Sequence, residues 1–149
     1  MRKILLVVLG GGAGTLLRFL IGEKVAMLHQ WPPLATLVIN VSGCFLISFL
    51  NFISKPPGHI YIGPRSRLLW IVGFCGGYTM FSTFSLISFN AIRKSNWSDV
   101  WGNILLSQLL CIGAVWIGYT IRKPAVFMLA KVSDLLCPKV SSIVKNTDA

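Results

Sequence analysis

Residues 68–92 read LLWIVGFCGGYTMFSTFSLISFNAI and contain no Lys, Arg, Asp or Glu. The hydrocarbon core of a bilayer is about 30 Å thick, and a helix of about 20 apolar residues crosses it. Residues 25–54 and 100–121 are also free of charge, and residues 4–22 are apolar except for Arg18. The pattern predicts an all-α integral membrane protein with four transmembrane helices, which cover residues 4–22, 34–54, 67–92 and 100–121.

The composition excludes a soluble domain and a disordered chain. Of the 149 residues, 54% are hydrophobic and 12% are charged, whereas soluble domains carry about 25% charge and disorder requires low hydrophobicity. The net charge of +10 is spread between apolar stretches rather than gathered in one patch. We therefore expect the lipid bilayer as the surroundings of this protein and no nucleic acid as its partner.

The two ends of the chain differ from the apolar stretches. Arg2 and Lys3 precede an apolar run as in a signal peptide, but no A-x-A-like cleavage site follows, so we expect the first helix to be retained. We expect residues 1–121 to form the transmembrane domain and residues 122–149 to form a basic C-terminal tail. For the tail, a helix lying on the membrane surface and a disordered basic end both fit the pattern.

The third predicted helix carries Gly73, Gly76 and Gly77, followed directly by a run rich in Thr and Ser. Each glycine weakens a helix by about 1 kcal/mol, and in lipid a broken helix persists only where its free backbone groups are buried or line a cavity. Small residues also allow close helix packing. The hydroxyl side chains after the glycines favour a broken third helix that holds an ion.

Polar and aromatic residues of the predicted helices offer hydrogen-bond donors. Asn40 either bonds to another helix or offers its amide protons to an anion in a pore. Asn103 and Ser107 are four residues apart and therefore share a helix face. Phe81 and Phe84 share a face as well, either for packing or to present their positive ring edges to an anion.

Arg18 and the cysteines have simpler interpretations. Arg18 is costly in lipid; it either extends to the membrane surface or is a buried anchor that binds carbonyls or an anion. The cysteines show no C-x-x-C or Cys/His spacing typical of metal sites. We expect them to be small buried hydrophobes; they are Cys44, Cys75, Cys111 and Cys137.

Three segments resemble the CrcB/Fluc family of small fluoride channels: GGGAGTLLRF at residues 10–19, ATLVINVSGCF at residues 35–45 and GFCGGYTMFSTFS at residues 73–85. The third is close to the family signature Gly-Phe-x-Gly-Gly-x-Thr-Thr-Phe-Ser-Thr-Phe. The resemblance covers residues 4–121. It implies a fluoride-selective channel that lets cytoplasmic F⁻ leave down its gradient and so confers fluoride resistance.

The resemblance also implies an assembly and roles for individual residues. Subunits of this family look like antiparallel, dual-topology dimers with two fluoride pores. By resemblance, the backbone carbonyls of Gly76 and Thr79 hold a central structural Na⁺ between the subunits, and Arg18 is the anchor near the pore mouth. The residues implied for the fluoride pathway are Asn40, Phe81, Ser82, Thr83, Phe84 and Ser107.

Three positions depart from the family pattern. Met80 replaces the second Thr of the signature and removes a hydroxyl. Ile87 stands where many members carry Glu, and Asn103 stands where others place an aromatic residue. These departures concern the handling of the ion rather than the fold.

The distribution of basic residues predicts a fixed orientation in the membrane. Ten Lys and Arg lie on the side of the chain termini, against three on the other side. The positive-inside rule then places both termini in the cytoplasm. We expect a multi-pass protein of the plasma membrane, the inner membrane of a bacterium, that forms either a homodimer or a heterodimer with an oppositely oriented paralogue.

Three other functions fit the sequence less well. A proton-coupled drug exporter needs a membrane-embedded carboxylate, but the acidic residues lie at predicted helix ends, in loops or in the tail: Glu23, Asp99, Asp134 and Asp148. A non-transport membrane protein with a basic tail would not explain why glycines are followed by hydroxyl side chains in residues 73–85. No catalytic set is visible, so we do not expect an enzyme.

Overall fold

The computed structural model describes residues 1–29, 31, 33–53 and 63–136, with side chains described for all of these except 53 and 122–136. In this part of the chain every regular element is helical. The helices, in chain order, are α1 (Arg2–Leu28), α2 (Pro33–Ile53), α3 (Pro64–Arg67), the π-helical segment π1 (Leu68–Cys75), α4 (Gly76–Tyr78), α5 (Phe81–Arg93) and α6 (Trp97–Leu136).

Four stretches of these helices are long and apolar enough to cross a membrane, as the sequence predicts. They are α1, α2, the composite third span from Pro64 to Arg93, and the first 25 residues of α6. Most of their large apolar side chains remain exposed. Such an outward apolar surface is what a lipid-facing bundle requires.

Glycines bring α1 and the third span into close contact. A side chain at Gly14 would overlap the Phe74 carbonyl, and one at Gly77 would overlap the backbone of Gly11. A Cβ at Gly73 would lie 2.8 Å from the Val7 carbonyl oxygen. Small residues four positions apart on both helices allow this approach, so Gly73 and Gly77 serve helix packing.

The α2 and α6 helices run parallel and keep one register over several turns. The Ser48 hydroxyl donates to the Val115 carbonyl at 2.6 Å, and the rings of Phe52 and Tyr119 meet edge to face with centroids 4.9 Å apart. Both pairs are separated by 67 residues. The second contact lies four residues further along both helices, so the sequence separation of the partners stays the same. This requires parallel axes, because in antiparallel helices one partner would move forward and the other back, and the sequence separation would change by eight residues per turn.

Contacts at the ends of the bundle agree with an alternating up-and-down path. The Trp31 indole donates to Asp99 Oδ1 at 3.3 Å, which joins the start of α2 to the start of α6. The Arg67 guanidinium donates to Asn51 Oδ1 at 2.8 Å, which joins the end of α2 to the start of the third span. The Trp31–Asp99 and Arg67–Asn51 contacts therefore lie at opposite ends of the bundle.

The first and the fourth helices extend beyond the membrane segments that the sequence predicts. The first helix ends at Leu28 rather than Gly22, and the fourth continues to Leu136 rather than ending at Ile121. The change from apolar to charged residues marks where a helix leaves the hydrocarbon, and it does not itself stop a helix. Residues 137–149 of the predicted tail lie outside the described residues.

Candidate ion pathway

The third span is broken, as the sequence predicts, and the break lies at Thr79 and Met80. Thr79 is extended, with φ −76° and ψ 156°, and Met80 has φ −134° and ψ 72°. The break follows the glycines rather than coinciding with them, because Gly76 and Gly77 are still helical. The third span therefore consists of two half-helices that meet inside the bundle.

Asn40 of α2 holds this break. Its Oδ1 accepts from the Met80 backbone N–H at 2.7 Å, and its Nδ2 donates to the Met80 carbonyl at 3.4 Å. The same carbonyl accepts from the Phe84 N–H at 3.2 Å and so begins α5. Both interpretations of Asn40 keep support, since one amide proton remains for another acceptor.

A cleft of about 370 Å³ lies beside the break and contains four of the six residues implied for the fluoride pathway. The rings of Phe81 and Phe84 are 5.7 Å apart between centroids, at an angle of 37°. Phe84 is only 9% exposed, whereas Phe81 is 75% exposed. We call this the narrow cleft, and its lining residues are Asn40, Cys44, Ile47, Thr79, Phe81, Phe84, Ser107, Gln108 and Cys111.

The other two implied residues, Ser82 and Thr83, lie in a different place. They line a cleft of about 950 Å³ between α1, α2 and α5, together with Arg18, Glu23 and Met80. We call this the wide cleft. Phe81 and Phe84 thus point to one side of α5 while Ser82 and Thr83 point to the other. The structure does not bring all six residues together.

Arg18 is half-buried at the wide cleft. Within the described part of the chain, it has no hydrogen-bond or ion-pair partner. Its cation is therefore available to an anion that enters this cleft. The wall also carries the hydroxyls of Thr15, Ser82 and Thr83.

The end of the first half-helix fits the donor chemistry of a Na⁺ ion. The Met80 N–H, which would continue the helix by bonding to Gly76, goes to Asn40 instead, so the Gly76 carbonyl lies outside the helical ladder. Gly76 is exposed, and open space surrounds the position of its missing Cβ. Hard cations take oxygen ligands, and the ends of discontinuous helices coordinate Na⁺ in membrane proteins.

A buried polar chain between α5 and α6 contains a residue that the sequence did not assign to a role. Asn103 is 2% exposed, and its Nδ2 donates to Ser88 Oγ at 2.8 Å. Ser88 in turn donates to the Phe84 carbonyl at 2.9 Å, and Ser107 donates to Asn103 Oδ1 at 3.4 Å. The shared face of Asn103 and Ser107 is confirmed. The role of Ser88 could not be seen, since it depends on the packing of α5.

Known proteins are similar to this chain over most of its length. The family model described as CrcB-like protein, Camphor Resistance (CrcB), matches residues 5–119. A "Fluoride-specific ion channel FluC" of Opitutus terrae is 38% identical over 120 residues, which are 80% of this chain and 91% of that protein. Proteins with the same name from Methylocella silvestris and Gluconobacter oxydans are each 37% identical, over 76% and 77% of this chain and 84% and 81% of their own lengths.

The family match over residues 5–119 includes the helix break, the residues that line both clefts and nearly all of the four spans. The chain is a multi-pass membrane protein, as the apolar spans and the matched family together indicate. It belongs to the CrcB family of membrane proteins.

Proposed function

We propose that this protein is a fluoride-selective channel, not an enzyme, that lets cytoplasmic F⁻ leave the cell down its gradient. The observation that carries the proposal is the narrow cleft, which gathers Asn40, Phe81, Phe84 and Ser107 around one space. The fluoride channels named above, which are similar over most of this chain, support the choice of ion.

The lining of the narrow cleft suits a small, strongly hydrated anion. Such an ion must exchange its water for other donors, and here these are an amide, a hydroxyl and the positive edges of aromatic rings. Among the described residues, no charged side chain lines this cleft. Conduction needs binding that is weak enough for release, and neutral donors provide that condition.

The wide cleft serves in this proposal as the vestibule of the pathway. Arg18 attracts the anion at short range through its guanidinium, which is unpaired within the described part of the chain, although the same cleft also carries the carboxylate of Glu23. Ser82 and Thr83 offer hydroxyl donors on the same wall. Met80 lines the wide cleft and Asn40 the narrow one, and the two residues are hydrogen-bonded. The Asn40–Met80 contact thus lies between the vestibule and the narrow cleft.

The carbonyls of Gly76 and Thr79 would hold a Na⁺ together with the equivalent groups of a second subunit. When bound, this ion supplies a fixed positive charge near the pathway and joins the two subunits. The exposed face of Gly76 supports this arrangement, because nothing else in the described chain covers it. Subunit association measured in Na⁺ and in a large organic cation tests the proposal, and equal association in both would contradict it.

The excess of basic residues on the side of the termini supports one orientation in the inner membrane, with both termini in the cytoplasm. An oppositely oriented paralogue would then complete an antiparallel heterodimer, whereas an antiparallel homodimer requires both orientations. Cysteine-accessibility labelling of the two termini distinguishes these assemblies. Labelling from one side supports the heterodimer, and labelling from both sides supports the homodimer.

The decisive experiment is efflux of F⁻ from liposomes that contain the purified protein, followed with a fluoride electrode and with Cl⁻ as the competing anion. We expect selective F⁻ efflux that falls at least tenfold in Phe81→Ile and in Asn40→Asp. Asn90→Asp is the matched control, since Asn90 is exposed near the end of α5. If the protein alone gives no efflux, co-expression with a paralogue separates an obligate heterodimer from a wrong function.

A further inference from the structure

Two cysteines from different helices meet in the narrow cleft. Cys44 of α2 and Cys111 of α6 are separated by 67 residues, the same separation as Ser48–Val115 and Phe52–Tyr119. Both cysteines line the narrow cleft, and each lies one helical turn before a member of the Ser48–Val115 hydrogen bond that joins the two helices. The register of two parallel helices therefore brings these thiols together.

The thiol pair lies one helical turn from the proposed fluoride pathway. Cys44 follows Asn40 by four residues on α2, and Cys111 follows Ser107 by four residues on α6, so each cysteine shares a helix face with a pathway residue. Both cysteines are half-buried and line the narrow cleft. A small solute in this cleft can therefore reach them.

We propose that Cys44 and Cys111 form a two-sulfur binding site for a soft metal cation of the Hg²⁺ type, and that occupation of this site blocks the narrow cleft. Thiolates select soft metals, and the thiolate is the form that binds them. Soft d¹⁰ cations accept two sulfur ligands in a line, so two cysteines suffice. The proposed metal binding depends on the cysteine pair alone, whereas the proposed block of F⁻ flux also rests on the proposed channel function.

The binding step conserves atoms and charge. Two S–H bonds and the two Hg–Cl bonds of HgCl₂ break, two S–Hg bonds form, and two protons and two chloride ions leave to water, without oxidation of sulfur or reduction of the metal. The product is neutral, which matters because an uncompensated charge is costly at this depth. Ag⁺ bound by two thiolates would carry one negative charge. We therefore expect Hg²⁺ to bind more tightly than Ag⁺.

The first test measures binding and does not depend on transport. HgCl₂ is titrated into the purified protein carrying Cys75→Ser and Cys137→Ser, with ultraviolet absorption of the S–Hg bonds and the number of maleimide-reactive thiols as readouts. We expect one Hg²⁺ per chain and loss of both reactive thiols together. Replacing either Cys44 or Cys111 by Ser should weaken binding at least tenfold. Two independent Hg²⁺ ions per chain, or no loss in the single variants, would overturn the proposal.

The second test measures the block. HgCl₂ at one equivalent per site should reduce F⁻ efflux from liposomes at least tenfold, and a dithiol reductant should restore it. In Cys44→Ser and in Cys111→Ser, F⁻ efflux with HgCl₂ should equal the same variant's efflux without HgCl₂, while Cys75→Ser, whose thiol is buried elsewhere on π1, should remain sensitive. Binding without inhibition would overturn the block. Absence of F⁻ efflux both from the protein alone and after co-expression with a paralogue would contradict the proposed function, while the titration still decides the site.

Discussion

The Asn40 carboxamide satisfies both backbone polar groups of Met80, accepting from its N–H at 2.7 Å and donating to its carbonyl at 3.4 Å. One side chain of α2 thereby replaces the helical hydrogen bond that the Met80 N–H gives up at the break, whereas the Met80 carbonyl also accepts from the Phe84 N–H. In lipid no water is available for these groups. Asn40 is therefore a structural part of the break as well as a candidate donor to fluoride.

Loss of the Asn40 side chain should destabilise the protein. In Asn40→Ala, the Met80 N–H loses its partner, and a buried unsatisfied group costs about 1–3 kcal/mol. Thermal unfolding in detergent measures the effect, with Asn90→Ala as the control. Asn40→Asp keeps the acceptor for the Met80 N–H, so it should unfold closer to the wild type while still losing F⁻ flux. Equal unfolding of the Ala variant and the wild type would contradict the structural role.

Close packing of α1 against the third span should make Gly14 intolerant of a side chain. A Cβ at Gly14 would overlap the Phe74 carbonyl, and overpacking of this kind costs about 1–3 kcal/mol or more. Gly113→Ala is the control in α6, because nothing lies within 4 Å of its added Cβ. We expect a lower unfolding temperature for Gly14→Ala and an unchanged or higher one for Gly113→Ala. The reverse order would exclude this helix contact.

Because the Phe81 ring is exposed, its effect on F⁻ efflux can be measured apart from its effect on stability. Its ring is 75% exposed, so Phe81→Ile should change the free energy of unfolding by less than about 0.5 kcal/mol while F⁻ efflux falls at least tenfold. Phe89 on the same helix is 57% exposed and lines neither cleft. Phe89→Ile should therefore retain efflux. A parallel loss of stability in Phe81→Ile would indicate a packing role instead.

Attraction of the anion by Arg18 should depend on ionic strength. Arg18→Gln removes the cation from the wide cleft, and Arg18→Lys retains a charge. We expect F⁻ efflux to fall several-fold in the Gln variant at low salt and to recover in part in the Lys variant. The difference should shrink above 0.1 M salt, where charges are screened over about 10 Å. A loss that is independent of salt would point to a packing role for this side chain.

The sequence was sufficient for the four spans, because the bilayer sets the length of an apolar helix and charged residues mark its ends. It was also sufficient for a break in the third span. It could not place that break at Thr79 and Met80, since the group that stabilises it, Asn40, comes from another helix. Nor could it show which cleft each face of α5 meets, because the direction of these faces follows from the backbone at Met80.

Two serines of the polar chain between α5 and α6 allow stability and transport to be tested separately. We expect Ser88 to affect stability and Ser107 to affect transport. Ser88 bonds to buried Asn103 at 2.8 Å and lines neither cleft, so Ser88→Ala should cost about 1–3 kcal/mol and leave F⁻ efflux intact. Ser107 reaches Asn103 only at 3.4 Å, which is long for a hydroxyl donor, so its hydroxyl can leave Asn103 for an anion at little cost.

Ser107→Ala should therefore lower F⁻ efflux several-fold with little change in the unfolding temperature, and Ser107→Thr, which keeps a hydroxyl, should conduct. Unfolding scans and liposome efflux on the same preparations give both readouts. If Ser107→Ala lost stability and kept its efflux, the Ser107 hydroxyl would belong to the packing of α5 on α6 and not to the ion pathway. Of the residues proposed for the fluoride pathway, the amide of Asn40 and the ring edges of Phe81 and Phe84 would then remain as donors in the narrow cleft.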